Sequence, residues 1–143
     1  MQIFHIGPLF HQFQQGLEDL LPRVGGSHLF QRTAHILPAL AGGRGCTMFV
    51  ENMFESRYGH VDELRRMGAD IQTSGRVAVV TGAGRLRGTE VRGCDLRCGA
   101  ALVVAGLAAR GQTRVGGLRH IRRGYDDLAG NLRRLGADIR EII

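Results

Sequence analysis

All nineteen basic side chains of this 143-residue chain are arginines, and lysine is absent. A guanidinium presents a planar fork of donors that meets a carboxylate or phosphate at two points, which an ammonium cannot do. The formal net charge of +6 favours anionic partners of this kind. The arginines are spread along the chain, often as Arg-Arg pairs, and no aromatic side chains are interleaved with them to stack on bases. That argues against nucleic acid as the partner. Three cysteines, Cys46, Cys94 and Cys98, form no disulfide framework. The Cys94-x-x-x-Cys98 spacing lacks the second Cys or His pair of a metal site. The two are therefore read as small core residues, and no metal or cofactor is expected.

These groups need a scaffold, and the composition allows one. Apolar residues make up 43% of the chain, enough for a single hydrophobic core. With no tryptophan and two tyrosines, that core must be built from Leu, Val, Ile and Ala, and the 22 glycines imply many tight turns. The start of the sequence lacks the basic and apolar stretches of a secretory signal. The longest apolar run, Ala100 to Ala109, is roughly half of a bilayer span, so no membrane segment is expected. A reducing cytoplasm is the expected compartment.

The element pattern predicts short helices alternating with short strands. Residues 17–21 read as a short helix ended by Pro22, and 29–42 as a helix interrupted by Pro38. Met48-Phe49-Val50 reads as a strand. Val61 to Met67 reads as a helix stopped by Gly68. Ala69–Gln72 and Arg76–Thr81 read as strands joined by a turn at Ser74-Gly75. The strongest helix pattern runs from Asp95, placed to cap it, to Ala109, with Gly111 as its stop. A strand over Gln112–Val115, a helix over Tyr125–Leu135 stopped by Gly136, and a strand over Ala137–Ile142 complete the chain. The class is α/β or α+β.

One stretch is written twice. Leu64-Arg65-Arg66-Met67-Gly68-Ala69-Asp70-Ile71 returns as Leu132-Arg133-Arg134-Leu135-Gly136-Ala137-Asp138-Ile139, an offset of 132 − 64 = 68. Upstream, Arg44-Gly45, Thr47 and Arg57 match Arg110-Gly111, Thr113 and Arg123 at an offset of 110 − 44 = 66. A slip of two residues between matched blocks is what a loop of variable length produces. The period exceeds that of the common solenoids, so two copies of a supersecondary unit inside a closed domain are expected.

Four segments, in order and from about residue 45 to 143, resemble the UDP-N-acetylglucosamine enolpyruvyl transferases. They are Glu51-Asn52-Met53-Phe54-Glu55-Ser56-Arg57-Tyr58 with His60-Val61-Asp62-Glu63-Leu64; Asp95-Leu96-Arg97 with Gly99-Ala100-Ala101-Leu102-Val103; His120-Ile121-Arg122-Arg123-Gly124-Tyr125; and Leu132 to Ile139. The resemblance implies βαβαββ units about a pseudo-threefold axis. It implies transfer of the enolpyruvyl group of phosphoenolpyruvate to UDP-N-acetylglucosamine by addition and elimination of phosphate, a step of peptidoglycan synthesis. It divides the chain into a diverged segment, 1–43, and two repeats, about 44–92 and 93–143. A related family acts on 3-phosphoshikimate, but the 54–64 segment favours the nucleotide-sugar branch.

By the same resemblance Arg123, Arg97 and Arg57 bind substrate, since phosphoenolpyruvate offers both a phosphate and a carboxylate to be held. Asp95 either caps its helix or binds substrate. His120 and Tyr125 read as structural. The match also has gaps. No cysteine stands in the sequence context of the family's mobile loop, and no carboxylate falls near Gln31, where the family's proposed general base belongs. An amide there cannot take up a proton. Ser56 and Arg122 replace the usual Asn and Asp, and Arg122 adds a positive charge next to Arg123. No catalytic residue is assigned. The isolated chain is expected to be inactive, either as an anion-binding module or as part of an assembly with itself or a complementing chain.

Overall fold

The computed structural model describes residues 3–7, 46–50, 59–75, 77–82 and 86–142. In chain order the elements are β1 (Ile3–Ile6), β2 (Cys46–Val50), α1 (Val61–Arg66), β3 (Asp70–Ser74), β4 (Val77–Thr81), β5 (Glu90–Arg92), α2 (Leu96–Ala108), β6 (Thr113–Gly116), α3 (Leu118–Arg122), α4 (Leu128–Arg134) and β7 (Ile139–Ile142). Helices and strands mix as the α/β class requires. Two sheets form: β5-β6-β1-β7 and β2-β4-β3. Strand β5 runs parallel to β6, and every other pairing is antiparallel.

Helix α2 is the centre of the molecule. Its middle, Ala-Ala-Leu-Val-Val-Ala, buries nearly every side chain, and it packs on β1, β5 and β6 as well as on α1 and α3. Small residues let those neighbours approach closely. One core joins Phe4 and Ile6 of β1, Leu64 of α1, Ile71, Val80, Val91, Leu102, Val115 and Ile139. Thr113 is fully buried in this core, and its hydroxyl has no hydrogen-bond partner among the described residues. An unmet buried hydroxyl costs about 1–3 kcal/mol. Thr113→Val, of the same shape, should raise the free energy of unfolding by about 1 kcal/mol, checked by urea denaturation.

The written repeat is also a repeated geometry. Helix α1 leads into β3 as α4 leads into β7. Gly68 and Gly136 take φ +91° and +95°, the left-handed position that ends a helix. The amides of Ala69 and Ala137 donate to the carbonyls of Leu64 and Leu132 at 3.1 and 3.0 Å. Arg65 Nε donates to the Ile71 carbonyl at 2.8 Å, and Arg133 Nη1 to the Ile139 carbonyl at 3.5 Å. Strands β2 and β6 fall on the block matched at the other offset.

The sheets agree as well. Val80 of β4 faces both Thr47 and Ile71, whereas Ile6 of β1 faces both Thr113 and Ile139. Since Thr47 matches Thr113 and Ile71 matches Ile139, β1 occupies in one sheet the slot that β4 occupies in the other.

Departures from the sequence reading have local causes. The helix expected from Tyr125 begins at Leu128, because Asp127 takes a left-handed φ of +45° and caps it, accepting from Gly130 N at 3.1 Å. Helix α1 stops one residue earlier, at Arg66, and β3 runs on from Asp70 to Ser74. Strand β6 is shifted one residue on, to Thr113–Gly116, and β7 begins at Ile139. Strands β1 and β5 and helix α3 were not anticipated. The helices expected over 17–21 and 29–42 lie outside the described residues. Among the described residues no helix is long and apolar enough to cross a membrane.

Candidate functional site

Strand β5, helix α2 and strand β6 make a βαβ unit, and the carboxyl ends of its two parallel strands lie side by side. In open α/β sheets such ends are where ligands bind. Here they are joined closely: Gly93 N donates to the Gly116 carbonyl at 3.0 Å, and Gly117, at φ +79°, has no room for a Cβ against the Gly93 carbonyl. Helix α2 leaves the first end and α3 the second.

Asp95 shows how α2 starts. Its backbone is extended, and Oδ1 accepts from Cys98 N at 2.7 Å while its carbonyl accepts from Gly99 N at 2.9 Å. The capping role is therefore filled. Arg97 follows in the first helical turn, exposed to solvent. Arg123 is the C-cap of α3 and is also exposed. The two arginines are 26 positions apart in sequence (123 − 97), but their neighbours touch: Leu96 fills the space against Gly124, so a Cβ there would overlap it. A Cβ at Gly99 would come within 2.6 Å of Ile121 Cγ1. These two glycines press α2 and α3 together at the end that carries Arg97 and Arg123. Neither guanidinium group has a hydrogen-bonding or ion-pair partner among the described residues. Guanidinium groups carried on these two adjoining helix ends suit an anion that bears both phosphate and carboxylate.

The third predicted arginine, Arg57, lies outside the described residues. Gly59, two positions later, sits beside Cys94: a Cβ there would lie 3.4 Å from Cys94 Sγ. Glu63 of α1 accepts from Arg92 N at 2.9 Å and ties this segment to the end of β5. That backbone-to-carboxylate bond was not legible in the sequence, because Glu63 also suits a solvated helix face.

Arg122, the extra charge beside Arg123, forms an ion pair with Glu141 of β7. Its charge is thereby met by a carboxylate. Of the structural pair, His120 is half-buried and Tyr125 is exposed. Tyr125 borders a cavity of about 300 Å³ with Phe4, Ile121 and Leu128.

The two cysteines part company. Cys98 is 2% exposed and belongs to the core, as expected, but Cys94, which precedes the helix cap, is exposed at the surface. Burial pushes the Cys98 thiol up to about 12, assisted by the adjoining Cys94 thiol and the Asp95 carboxylate. No group of His, Cys, Asp and Glu suited to a metal ion occurs among the described residues.

A family model described as EPSP synthase (3-phosphoshikimate 1-carboxyvinyltransferase) matches residues 37–132. A UDP-N-acetylglucosamine 1-carboxyvinyltransferase 1 of Halalkalibacterium halodurans is 48% identical over 110 residues, 77% of this chain and 25% of that protein. A UDP-N-acetylglucosamine 1-carboxyvinyltransferase of Desulfofundulus thermocisternus is 56% identical over 95 residues, 66% of this chain and 39% of that protein. The chain thus spans about a quarter to two fifths of the length of these relatives. Among solved structures, the enolpyruvyl transferase NikO from Streptomyces tendae superposes with a TM-score of 0.68 at 36% identity, over 74% of this chain and 25% of that one. An EPSP synthase from Acinetobacter baumannii shares the fold, with a TM-score of 0.71 at 19% identity over 88% of this chain and 30% of that one. On these matches and on its own architecture, the chain belongs to the enolpyruvyl transferase family, that of EPSP synthase and the UDP-N-acetylglucosamine 1-carboxyvinyltransferases.

Proposed function

We propose that this chain forms the arginine-bearing side of a site that moves the enolpyruvyl group of phosphoenolpyruvate to UDP-N-acetylglucosamine. The observation that supports this reading is the Leu96–Gly124 contact, which brings the helix ends that carry Arg97 and Arg123 against each other. The nucleotide-sugar acceptor is supported by the likeness, near 50% identity, to UDP-N-acetylglucosamine 1-carboxyvinyltransferases.

Phosphoenolpyruvate presents a phosphate at one end and a carboxylate at the other. Arg123 and Arg97 hold these groups through forked, charge-assisted hydrogen bonds. The first turn of α2 adds unsatisfied backbone donors beside Arg97. Arg57, matched to Arg123 in the repeat, supplies a third cation. During addition and elimination, negative charge shifts on the phosphate and carboxylate, and fixed guanidinium groups stabilise it. Asp95, exposed beside its capping bond, serves as a contact for the acceptor. The chain is organised as repeats 44–92 and 93–143 after a diverged segment, and it works in the cytoplasm.

Proton transfer is a separate matter. Gln31 offers no base, so the groups that move protons belong to a complementing chain or a second copy, and this chain alone holds the anion without turning it over.

Calorimetric titration with phosphoenolpyruvate tests the reading. Arg123→Ala and Arg97→Ala each remove charge-assisted bonds worth about 1.5–3 kcal/mol, so each should weaken binding about 10- to 100-fold. Equal affinity in both variants and the parent would overturn the assignment. Phosphate release on adding UDP-N-acetylglucosamine, lost in Arg123→Ala, would show that the chain is catalytic by itself.

A further inference from the structure

The start of α2 holds two thiols that the transfer reaction does not use. Cys94 lies just before the helix cap and is exposed; Cys98 lies in the first turn and is 2% exposed. They are in mutual reach. Cys94 N donates to Cys98 Sγ at 3.4 Å. The Cys94 thiol also points to Asp95 Oδ2 at 3.9 Å. On its other side it borders Gly59, whose lack of a side chain leaves space beside the sulfur. One sulfur is thus open to reagents, and the other is reached only through the first.

We propose that Cys94 and Cys98 form a reversible dithiol–disulfide pair, a modification site in which Cys94 takes up the oxidising equivalent and Cys98 closes the bond. The oxidant is a low-molecular-weight disulfide. The Cys94 sulfur, as thiolate, attacks one sulfur of the reagent, the reagent S–S bond breaks, and one small thiol leaves. The Cys98 sulfur then attacks the Cys94 sulfur of the mixed disulfide, and the second small thiol leaves. The two protons of the protein thiols end on the two released thiols. The protein pair is oxidised by two electrons and the reagent disulfide is reduced by two.

The geometry assigns the order of events. A buried thiol meets no reagent from solvent, and the desolvation that keeps Cys98 protonated makes it a poor first nucleophile. The second step needs no access from outside, because the sulfur to be attacked is already its neighbour. The closed form encloses Asp95, Leu96 and Arg97 in a small covalent ring. It therefore fixes the turn that presents Arg97, whether or not that arginine holds an anion. Four-residue spacing across a helix cap suits such a bridge, since the two side chains already converge.

The test is a peptide map of the full chain. The reduced, folded protein is exposed to oxidised glutathione, remaining thiols are alkylated, and the protein is cut after arginine. Cleavage after Arg92, Arg97 and Arg110 puts Cys94 and Cys98 on separate peptides, 93–97 and 98–110, and Cys46 on a third. The expected product is a disulfide joining 93–97 to 98–110 that dithiothreitol separates. Cys98→Ser should stop at a single glutathione on Cys94, and Cys94→Ser should leave Cys98 unreacted in the folded protein. Three results would overturn the proposal: both cysteines alkylated and unlinked after oxidation, a disulfide that contains Cys46 instead, or Cys98 of Cys94→Ser reacting as fast as Cys94. Circular dichroism of each variant establishes that the reactivities are those of the folded chain.

Discussion

Gly117→Ala should lower the melting temperature by on the order of 10–20 °C. Two costs combine. The backbone at Gly117 has φ +79°, where an L side chain crowds its own carbonyl and costs about 1–2 kcal/mol. The added Cβ also overlaps the Gly93 carbonyl oxygen, and that group cannot retreat because Gly93 N is bonded to Gly116 O and Gly93 packs on Gly99. Overpacking against fixed backbone costs about 1–3 kcal/mol more. Together these approach the lower end of the total stability of a small domain, about 5 kcal/mol. Gly68→Ala separates the two costs. Its φ is +91°, but a Cβ there meets nothing within 4 Å. It should lose only the conformational part, about 1–2 kcal/mol. Thermal unfolding followed by circular dichroism compares the two; equal losses would show that the contact with Gly93 contributes nothing.

Met67→Ala and Leu135→Ala change matched positions of the repeat and should differ by at least about 1.5 kcal/mol. Met67 is 0% exposed and Leu135 is 80% exposed, although both are the C-caps of equivalent helices with nearly identical backbone angles. The chain after β4 explains the difference. Arg87 N donates to the Met67 carbonyl at 2.8 Å, and Leu86 is buried in the same core. Truncating a buried methionine leaves a cavity and costs about 2–5 kcal/mol. Truncating an exposed leucine changes stability by about 0.5 kcal/mol or less. Urea denaturation of the two variants gives the difference directly. A similar cost at both sites would mean that Leu135 is covered in solution, and its value would measure the partner surface.

Helix α2 was legible because it is long enough to show its period, carries a capping Asp95, and ends before a glycine at φ +83°. The hairpin β3–β4 was legible because its partners are adjacent in sequence. Helix α3 has five residues and a glycine in place of a side-chain cap, too short for periodicity to register. Strand β5 has three residues, and β1 has four whose partners are all remote. In the site, the motifs marked Arg97 and Arg123 singly, but what joins them is the absence of a side chain at Gly99 and Gly124, and a missing atom has no signature in a sequence. The Arg122–Glu141 pair joins α3 to β7, and no local pattern announces an ion pair between elements that meet only in the folded state. The family resemblance supplied the rest, and it rested on ordered motifs rather than on any contact.

The place of β1 sets a timetable for synthesis. Strand β4 reaches its slot by a hairpin and can settle against β3 as soon as it has itself left the ribosome. Strand β1 is made first, yet its slot lies between Thr113–Gly116 and Ile139–Ile142, which are made last. Until then Phe4 and Ile6, both core residues, have no sheet to enter. Closing a loop over nearly the whole chain is slow compared with local pairing. The three-stranded sheet can therefore form early in translation, while the four-stranded sheet must wait until Ile139–Ile142 has been made. A nascent chain stalled before Ile139 carries an unplaced apolar strand at its leading end, and that is the interval in which a chaperone would find it.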